Sequence, residues 1–254
     1  MKTADFKVIS HRQIADHIFQ LILTGEEAAN MTEPGQFVHV QIPGKTAPLL
    51  RRPLSIADAE PAAKQCTLIY RAEGPGTKQL AAAGEGDVVN LLGPLGNGFT
   101  SAPEQDGKAV LIGGGIGVPP LYYLAKRFAA SGIALDIYLG FRTKGEVFLQ
   151  KAFADLGQTT ITTEDGSFGE KGYVTDQIKA LRGNETFYAC GPRPMLRAVQ
   201  EAAESKAYLS LEERMACGVG ACLSCVCESA RSVNSPYVKI CSDGPVFNSA
   251  EVKI

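Results

Sequence analysis

Five of the seven cysteines in this sequence crowd its last quarter, at Cys217, Cys222, Cys225, Cys227 and Cys241, while Cys66 and Cys190 stand alone. An odd number of thiols argues against a disulfide framework and for a metal or cluster site in a reducing compartment. Cys217, Cys222 and Cys225 have the spacing C-x4-C-x2-C, which together with one more distant cysteine holds a two-iron, two-sulfur cluster. A short loop must wrap such a cluster so that the thiolates converge. Gly218 and Gly220 permit the dihedral angles this requires, and loop N–H groups can then bond the sulfurs. Cys241 returns from a distance and is expected as the fourth ligand. Cys227, two residues past Cys225, would crowd the turn and reads as a small buried residue. Four thiolates also suit structural zinc, although the paired short spacings usual for zinc lack their second member here.

A second candidate is the glycine run Gly113-Gly114-Gly115-Ile116-Gly117, set between the apolar stretch Ala109 to Ile112 and a helix-like stretch from Pro119 to Ala130. In that context a pyrophosphate can approach the backbone and a helix N-terminus, so Gly113, Gly114, Gly115 and Gly117 are candidate nucleotide contacts. The run is not a full G-x-G-x-x-G, and a tight strand-to-helix turn without ligand accounts for the same residues. Asp136 is the candidate acid for a ribose, whereas Arg142 and Lys144 end that strand with positive charge and leave NADPH open. Arg51-Arg52-Pro53-Leu54-Ser55 offers guanidinium groups for a phosphate and a hydroxyl for a ring, or else a solvated pair on a barrel edge. Ile69-Tyr70-Arg71 and Gly76-Thr77 add an aromatic, a cation and a turn. Cys190, before Gly191-Pro192, could face a nicotinamide or be a buried strand-end thiol. His11, His17 and His39 do not assemble with a nucleophile and an orienting partner, and His39 alternates with Val38 and Val40 as a strand residue does. Chemistry without such a set is expected when cofactors perform it.

The elements that must position these groups change along the chain. The first hundred residues hold short apolar runs, such as Phe37 to Ile42 and Cys66 to Tyr70, broken at Pro34-Gly35 and Gly74-Pro75-Gly76, and predict a closed barrel or sandwich. Gly93 to Gly98 and the polar stretch from Ser101 to Lys108 read as an interdomain link. From Ala109 strands alternate with helices: strands at Ala134 to Phe141, Thr159 to Thr163 and Thr186 to Cys190, and a helix near Val147 to Leu156. That alternation predicts a parallel sheet covered by helices. The rhythm is lost from about Ser210, where Cys and Gly take over. The 254 residues are 45% apolar and 20% charged, the balance of a soluble globular protein. A net charge of -2 gives no case for nucleic-acid binding. No apolar run approaches the roughly 18 residues of a membrane span, and Met1-Lys2-Thr3-Ala4-Asp5 does not start a signal peptide, so a cytoplasmic location is expected.

Taken in order, R-P-L-S at Arg52 to Ser55, Tyr70-Arg71, G-x-G-T at Gly74 to Thr77, G-G-G-I-G and Cys190-Gly191-Pro192 resemble the ferredoxin reductase superfamily. The tail from Cys217 to Cys227, ending in Cys241-Ser242-Asp243-Gly244-Pro245-Val246-Phe247, is narrower. With Glu164-Asp165-Gly166-Ser167-Phe168-Gly169-Glu170-Lys171-Gly172, it resembles the electron-transfer subunits of NAD-dependent, class 1B dihydroorotate dehydrogenases over essentially the whole chain. The resemblance implies a multi-domain β + α/β fold: an antiparallel FAD-binding β barrel over 1–101, a parallel α/β NAD-binding domain over 102–208 and an iron–sulfur segment over 209–254. It implies that Arg52, Pro53, Leu54, Ser55, Ile69, Tyr70, Arg71, Gly76 and Thr77 hold FAD, and that Cys217, Cys222, Cys225 and Cys241 hold a 2Fe–2S cluster. NAD(H) is then the substrate. The partner implied is an FMN-containing catalytic subunit that oxidises dihydroorotate in pyrimidine biosynthesis, with two of each chain in a heterotetramer. The sequence admits two alternatives: an electron-transfer subunit of the ferredoxin:NADP oxidoreductase or sulfide dehydrogenase type, and a zinc-stabilised interaction module.

Overall fold

In the computed structural model, which describes residues 2–43, 48–99, 102–103, 107–178, 185–203, 207–230 and 235–254, the alternating runs of the first hundred residues become strands. They are β1 (Lys2–Ala15), β2 (Ile18–Thr24), β3 (Phe37–Val40), β4 (Arg52–Glu60), β5 (Gln65–Arg71) and β6 (Val88–Leu95), with a short helix α1 (Pro75–Leu80) before β6. They pair antiparallel and close in the order β1-β2-β5-β4-β3-β6. Closure leaves no open edge. Phe6, Leu21, Val38, Ile56, Leu68 and Leu91 fill the interior. β3 is buried on both faces, because side chains alternate along a strand and each face here meets protein. Val38 and Val40 enter the barrel, while Phe37 joins a core shared with the central sheet and the C-terminal cysteines.

The second half alternates as expected: β7 (Lys108–Gly114), α2 (Val118–Ala130), β8 (Leu135–Phe141), α3 (Gln150–Ala154), β9 (Gln158–Thr163), β10 (Glu170–Lys171), α4 (Val174–Ile178), β11 (Glu185–Cys190), α5 (Arg193–Ala202) and β12 (Ala207–Ser210). The strands lie in the order β10-β9-β8-β7-β11-β12, all parallel. From β7 the chain moves outward to β8 and returns to β11 on the other side. In such a sheet the ends of β7 and β11 diverge and open a crevice at the carboxyl edge. Apolar residues of α2 cover one face of the sheet, those of α4 and α5 the other. The helix expected over Val147 to Leu156 is shorter: Leu149 sits at φ +57°, which ends any backward extension of α3, and Lys144–Glu146 form a separate 3-10 turn.

The tail supplies β13 (Val226–Ser229), β14 (Tyr237–Lys239), β15 (Val246–Asn248) and β16 (Val252–Lys253). β14, β13 and β16 form a small antiparallel sheet, but β15 adds to β12 as the last strand of the central sheet. The expected link is also more structured than a tether. Leu95 is still in β6, Asn97 N–H donates to Gly244 O at 2.7 Å, and Asn97 Nδ2 donates to Ser242 O and Asp243 O at 3.1 Å each. Ser101 and residues 104–106 of that link lie outside the described residues. Among the described residues no helix is long and apolar enough to cross a membrane.

Candidate functional site

The cysteine loop has the form its spacing demands. Gly218 and Gly220 sit at φ +72° and +79°, and loop N–H groups turn toward sulfur. Val219 N–H donates to Cys217 Sγ at 3.4 Å, Gly220 N–H to Cys241 Sγ at 3.1 Å and Cys241 N–H to Cys225 Sγ at 3.4 Å. Backbone donors from Val219, Cys222 and Ala221 hold the Cys217 thiol down to about 6, whereas burial, with Cys225 as neighbour, pushes Cys241 up to about 12. Among the described residues no group of three or more His, Cys, Asp or Glu side chains could hold a metal ion. Cys217 lies beside Cys222 and Cys225 beside Cys241, with Cys217 near enough for its charge to be felt at Cys241. Two ligands per iron is what a two-iron centre needs, so the donor set fits that group. Cys225 and Cys241 are buried while Cys222 is exposed, flanked by the exposed apolar side chains of Val219 and Leu223. Cys227 is buried and turned away, its thiol donating to Lys253 O at 3.4 Å.

Next to that loop, a cavity of about 250 Å³ opens against the barrel. Pro53, Leu54, Ser55, Ile69, Tyr70 and Arg71 form its barrel wall, and Phe37, Leu211, Met215 and Pro245 close the other side. Tyr70 is fixed from behind: its hydroxyl is 2.9 Å from His11 Nε2 and its ring stacks on Phe19. Arg52, Gly76 and Thr77 lie outside this wall but near one another, since a Cβ on Gly76 would stand 3.1 Å from Arg52 Nε and 3.4 Å from Nη2. Arg52 Nη1 is bound to Leu50 O at 2.8 Å, so its other edge faces Gly76. Guanidinium donors beside a glycine backbone suit a pyrophosphate, and the flat apolar wall suits a flavin ring. Arg51 serves the barrel instead, bonding Asn90 Oδ1 at 2.6 Å.

A larger cavity, of about 800 Å³, occupies the crevice between the ends of β7 and β11. Gly114, Gly115 and Gly117 line it opposite Gly191 and Pro192. Gly113 does not; it packs behind the wall, where a Cβ would meet Val118 Cγ2 at 2.9 Å and Leu139 Cδ2 at 3.2 Å. Thr162, at the carboxyl end of β9, lines the cavity, and its Oγ1 is buried without a partner among the described residues. An orphaned hydroxyl at this edge of the sheet fits a polar ligand such as a nicotinamide nucleotide. Asp136 cannot reach it. It lies at the opposite, amino end of β8, in an ion pair with Lys108. Just past the carboxyl ends of β8 and β9 the charged groups lining it are Arg142 and Glu164, with Lys144 off the wall.

The two cavities share Arg71, Ile116, Leu211 and Glu212. Arg71 is held by Glu146 through contacts of 3.2 and 3.0 Å, which tie the barrel to the α/β part. Glu212 was missed in the sequence. It follows β12 by two residues and so falls at the carboxyl edge where ligands bind, the one signal that could have found it. Its side chain opens into both cavities but is surrounded by protein, which raises its carboxyl pKa. Cys190 is fully buried and lines neither cavity; its Sγ lies 4.0 Å from Glu212 Oε1.

Comparison with known proteins agrees with this division of labour. Residues 212–253 match the iron–sulfur cluster binding domain of dihydroorotate dehydrogenase B, and residues 111–201 the oxidoreductase NAD-binding domain. The dihydroorotate dehydrogenase B (NAD(+)) electron transfer subunit of Geobacillus sp. (strain WCH70) is 49% identical over 99% of both chains, and that of Geobacillus kaustophilus (strain HTA426) 51% identical over 96% of both. Among solved structures, the NADH-dependent reduced ferredoxin-NADP oxidoreductase superposes with a TM-score of 0.86 at 28% identity, over 98% of this chain and 89% of the other. Identity near one half over nearly the full length of both chains puts this chain in the family of dihydroorotate dehydrogenase B (NAD(+)) electron transfer subunits.

Proposed function

We propose that this chain carries electrons between an FMN-containing dihydroorotate dehydrogenase catalytic subunit and NAD, by way of FAD and a 2Fe–2S cluster, in pyrimidine (UMP) biosynthesis. The observation that carries the reading is the shared wall of Arg71, Ile116, Leu211 and Glu212, with Phe37 of the smaller cavity beside His39, whose ring meets Gly218 of the cysteine loop. Nucleotide, flavin and cluster then stand in series. When bound, the flavin exchanges electrons in pairs with the nicotinamide and singly with the iron–sulfur centre, which is why both are needed.

The protein's own part is to bind and orient. Cys217, Cys222, Cys225 and Cys241 hold the cluster, and Arg52, Gly76 and Thr77 take the FAD pyrophosphate. Pro53, Leu54, Ser55, Ile69 and Tyr70 face the ring, and Arg71, pinned by Glu146, sets the junction of the two cavities. Gly114, Gly115 and Gly117 admit the NAD pyrophosphate, with Gly113 supporting them from behind. Glu212 presents to both cavities an accessible carboxyl whose pKa the surrounding protein raises, and Cys190 backs it. The exposed edge around Cys222, Val219 and Leu223 faces the catalytic subunit, and two of each chain assemble. The work is divided among 1–101, 102–208 and 209–254. Seven cysteines, none of them in a disulfide, support a cytoplasmic setting.

The ferredoxin:NADP type of subunit is the nearest rival, and its solved relative is 28% identical against 49–51% for the dihydroorotate dehydrogenase subunits. Anaerobic purification from the native host decides the matter. The accompanying chain should carry FMN, and dihydroorotate should reduce NAD only when both chains are present. A preparation with zinc in place of flavin and acid-labile sulfide would refute the proposal.

A further inference from the structure

His39 is the one histidine that the barrel does not explain. It is 0% exposed, and neither ring nitrogen has a hydrogen-bond partner among the described residues. Buried polar groups almost always find a partner, and a neutral imidazole always carries one N–H to place. The ring is on the outer face of β3, beside Phe37 at 5.8 Å between centroids, and Phe37 lines the flavin cavity. Its other side meets the cysteine loop: a Cβ on Gly218 would stand 2.8 Å from both Cε1 and Nε2 of His39. Gly218 directly follows Cys217. The imidazole edge bearing Nε2 thus abuts the loop that wraps the cluster, on the side toward the flavin.

We infer that His39 is a positioning residue for the cluster, donating its ring N–H to a sulfur of the centre that the Cys217 loop holds. The inference rests on the cysteine assignment proposed above. It supplies the missing acceptor, since sulfurs of an iron–sulfur centre carry negative charge and accept hydrogen bonds that tune the potential. An N–H donor favours the more negative, reduced state. Removing it should lower the reduced-to-oxidised ratio at fixed ambient potential about tenfold, which is 59 mV for one electron.

The test uses the full chain, purified anaerobically with its cofactors and whatever partner accompanies it, and labelled with 15N-histidine. Pulsed electron paramagnetic resonance of the reduced cluster should show coupling to a histidine nitrogen, unchanged in His11→Gln and lost in His39→Leu. A redox titration should find the His39→Leu potential lowered and His39→Gln, which keeps an N–H, near the wild type. A cluster with full labile sulfide but no histidine coupling in the wild-type protein overturns the inference while sparing the cysteine assignment. An unchanged potential in His39→Leu does the same. Should that variant lose its cluster, the wild-type coupling and the His39→Gln potential still decide. Absence of labile sulfide from the wild type sinks the assignment and the inference together.

Discussion

Replacing Gly117 by Ala tests whether the glycine run is there for close approach of two loops. Gly117 has φ −77° and ψ −5°, ordinary values, so a side chain brings no backbone strain. The obstacle is steric. A Cβ would stand 2.5 Å from the Cys190 carbonyl carbon and 2.6 Å from Gly191 N, and closer still to the Cys190 oxygen. Carbon contacts are comfortable at about 3.5 Å, so roughly 1 Å must be found by parting the β7 and β11 loops. Overpacking of this kind costs about 1–3 kcal/mol. For a chain of this size each kcal/mol lowers Tm by about 2–4 °C, giving a drop of roughly 2–12 °C. Because those loops form the walls of the larger cavity, the KM for NADH in flavin reduction should rise as well. Gly132→Ala is the control: its φ is +74° but nothing lies within 4 Å of the new methyl, so it should cost about 1 kcal/mol and leave KM alone. Thermal unfolding and a stopped-flow series in NADH measure both quantities. If Gly117→Ala keeps wild-type Tm and KM, packing of the glycine run is not what shapes the nucleotide site.

Cys225→Ala should abolish the iron–sulfur spectrum and electron delivery to the partner while NADH still bleaches the flavin; loss of flavin reduction in a folded variant would contradict an arrangement in series. Gly96→Ala puts a Cβ at φ +75° and 2.5 Å from Pro245 Cδ, beside Phe37. Left-handed strain and overpacking together should cost about 2–4 kcal/mol, with flavin lost on gel filtration because Phe37 and Pro245 wall its cavity. Glu146→Gln should destabilise by about 1–2 kcal/mol at pH 7, since its partner Arg71 is only 16% exposed. The hydrogen bond from Arg71 holds Glu146 below its ordinary 4.5. Its contribution is therefore complete above 4.5 and is lost as pH falls through the lower, folded value, so the gap between variant and wild type should close in acid. Urea unfolding at several pH values measures it.

Local chemistry was legible in the sequence, and long-range neighbours were not. The loop's form was legible because its glycines and cysteines lie close along the chain: Gly218 and Gly220 take positive φ, and the N–H to sulfur bonds appear there. Short apolar runs bounded by turn residues and strand–helix alternation located β3, β5, β7, α2 and β8 to within two residues at each end, since each pattern reflects its own burial. Asp136 failed because a spacing rule counts residues along the chain, whereas the crevice lies at one end of the strands and Asp136 at the other. Glu212 and the Arg71–Glu146 pair were invisible for a related reason: their partners lie far along the chain, and only packing brings them together. His39 looked ordinary because alternation says which face a residue takes, not that the cysteine loop will cover that face.

The proposed division at 208/209 separates sequence patterns, but the fold ties the two sides together. β15 comes from the tail, yet Tyr208, Leu209 and Ser210 of β12 pair with Asn248, Phe247 and Val246. The segment carrying the fourth cysteine is also bound from the barrel side, where Asn97 holds the carbonyls of Ser242, Asp243 and Gly244. Cys225 and Cys241 belong to the same core as Phe37, Leu95, Val110 and Leu209, which come from barrel and sheet alike. Cys241 therefore takes its place from two other parts of the chain rather than from its own loop. Such a tail has too little apolar surface of its own to fold when cut away. A cluster on those cysteines would be clamped between barrel and sheet at a fixed remove from both cavities, which is what one-electron transfer between bound cofactors requires.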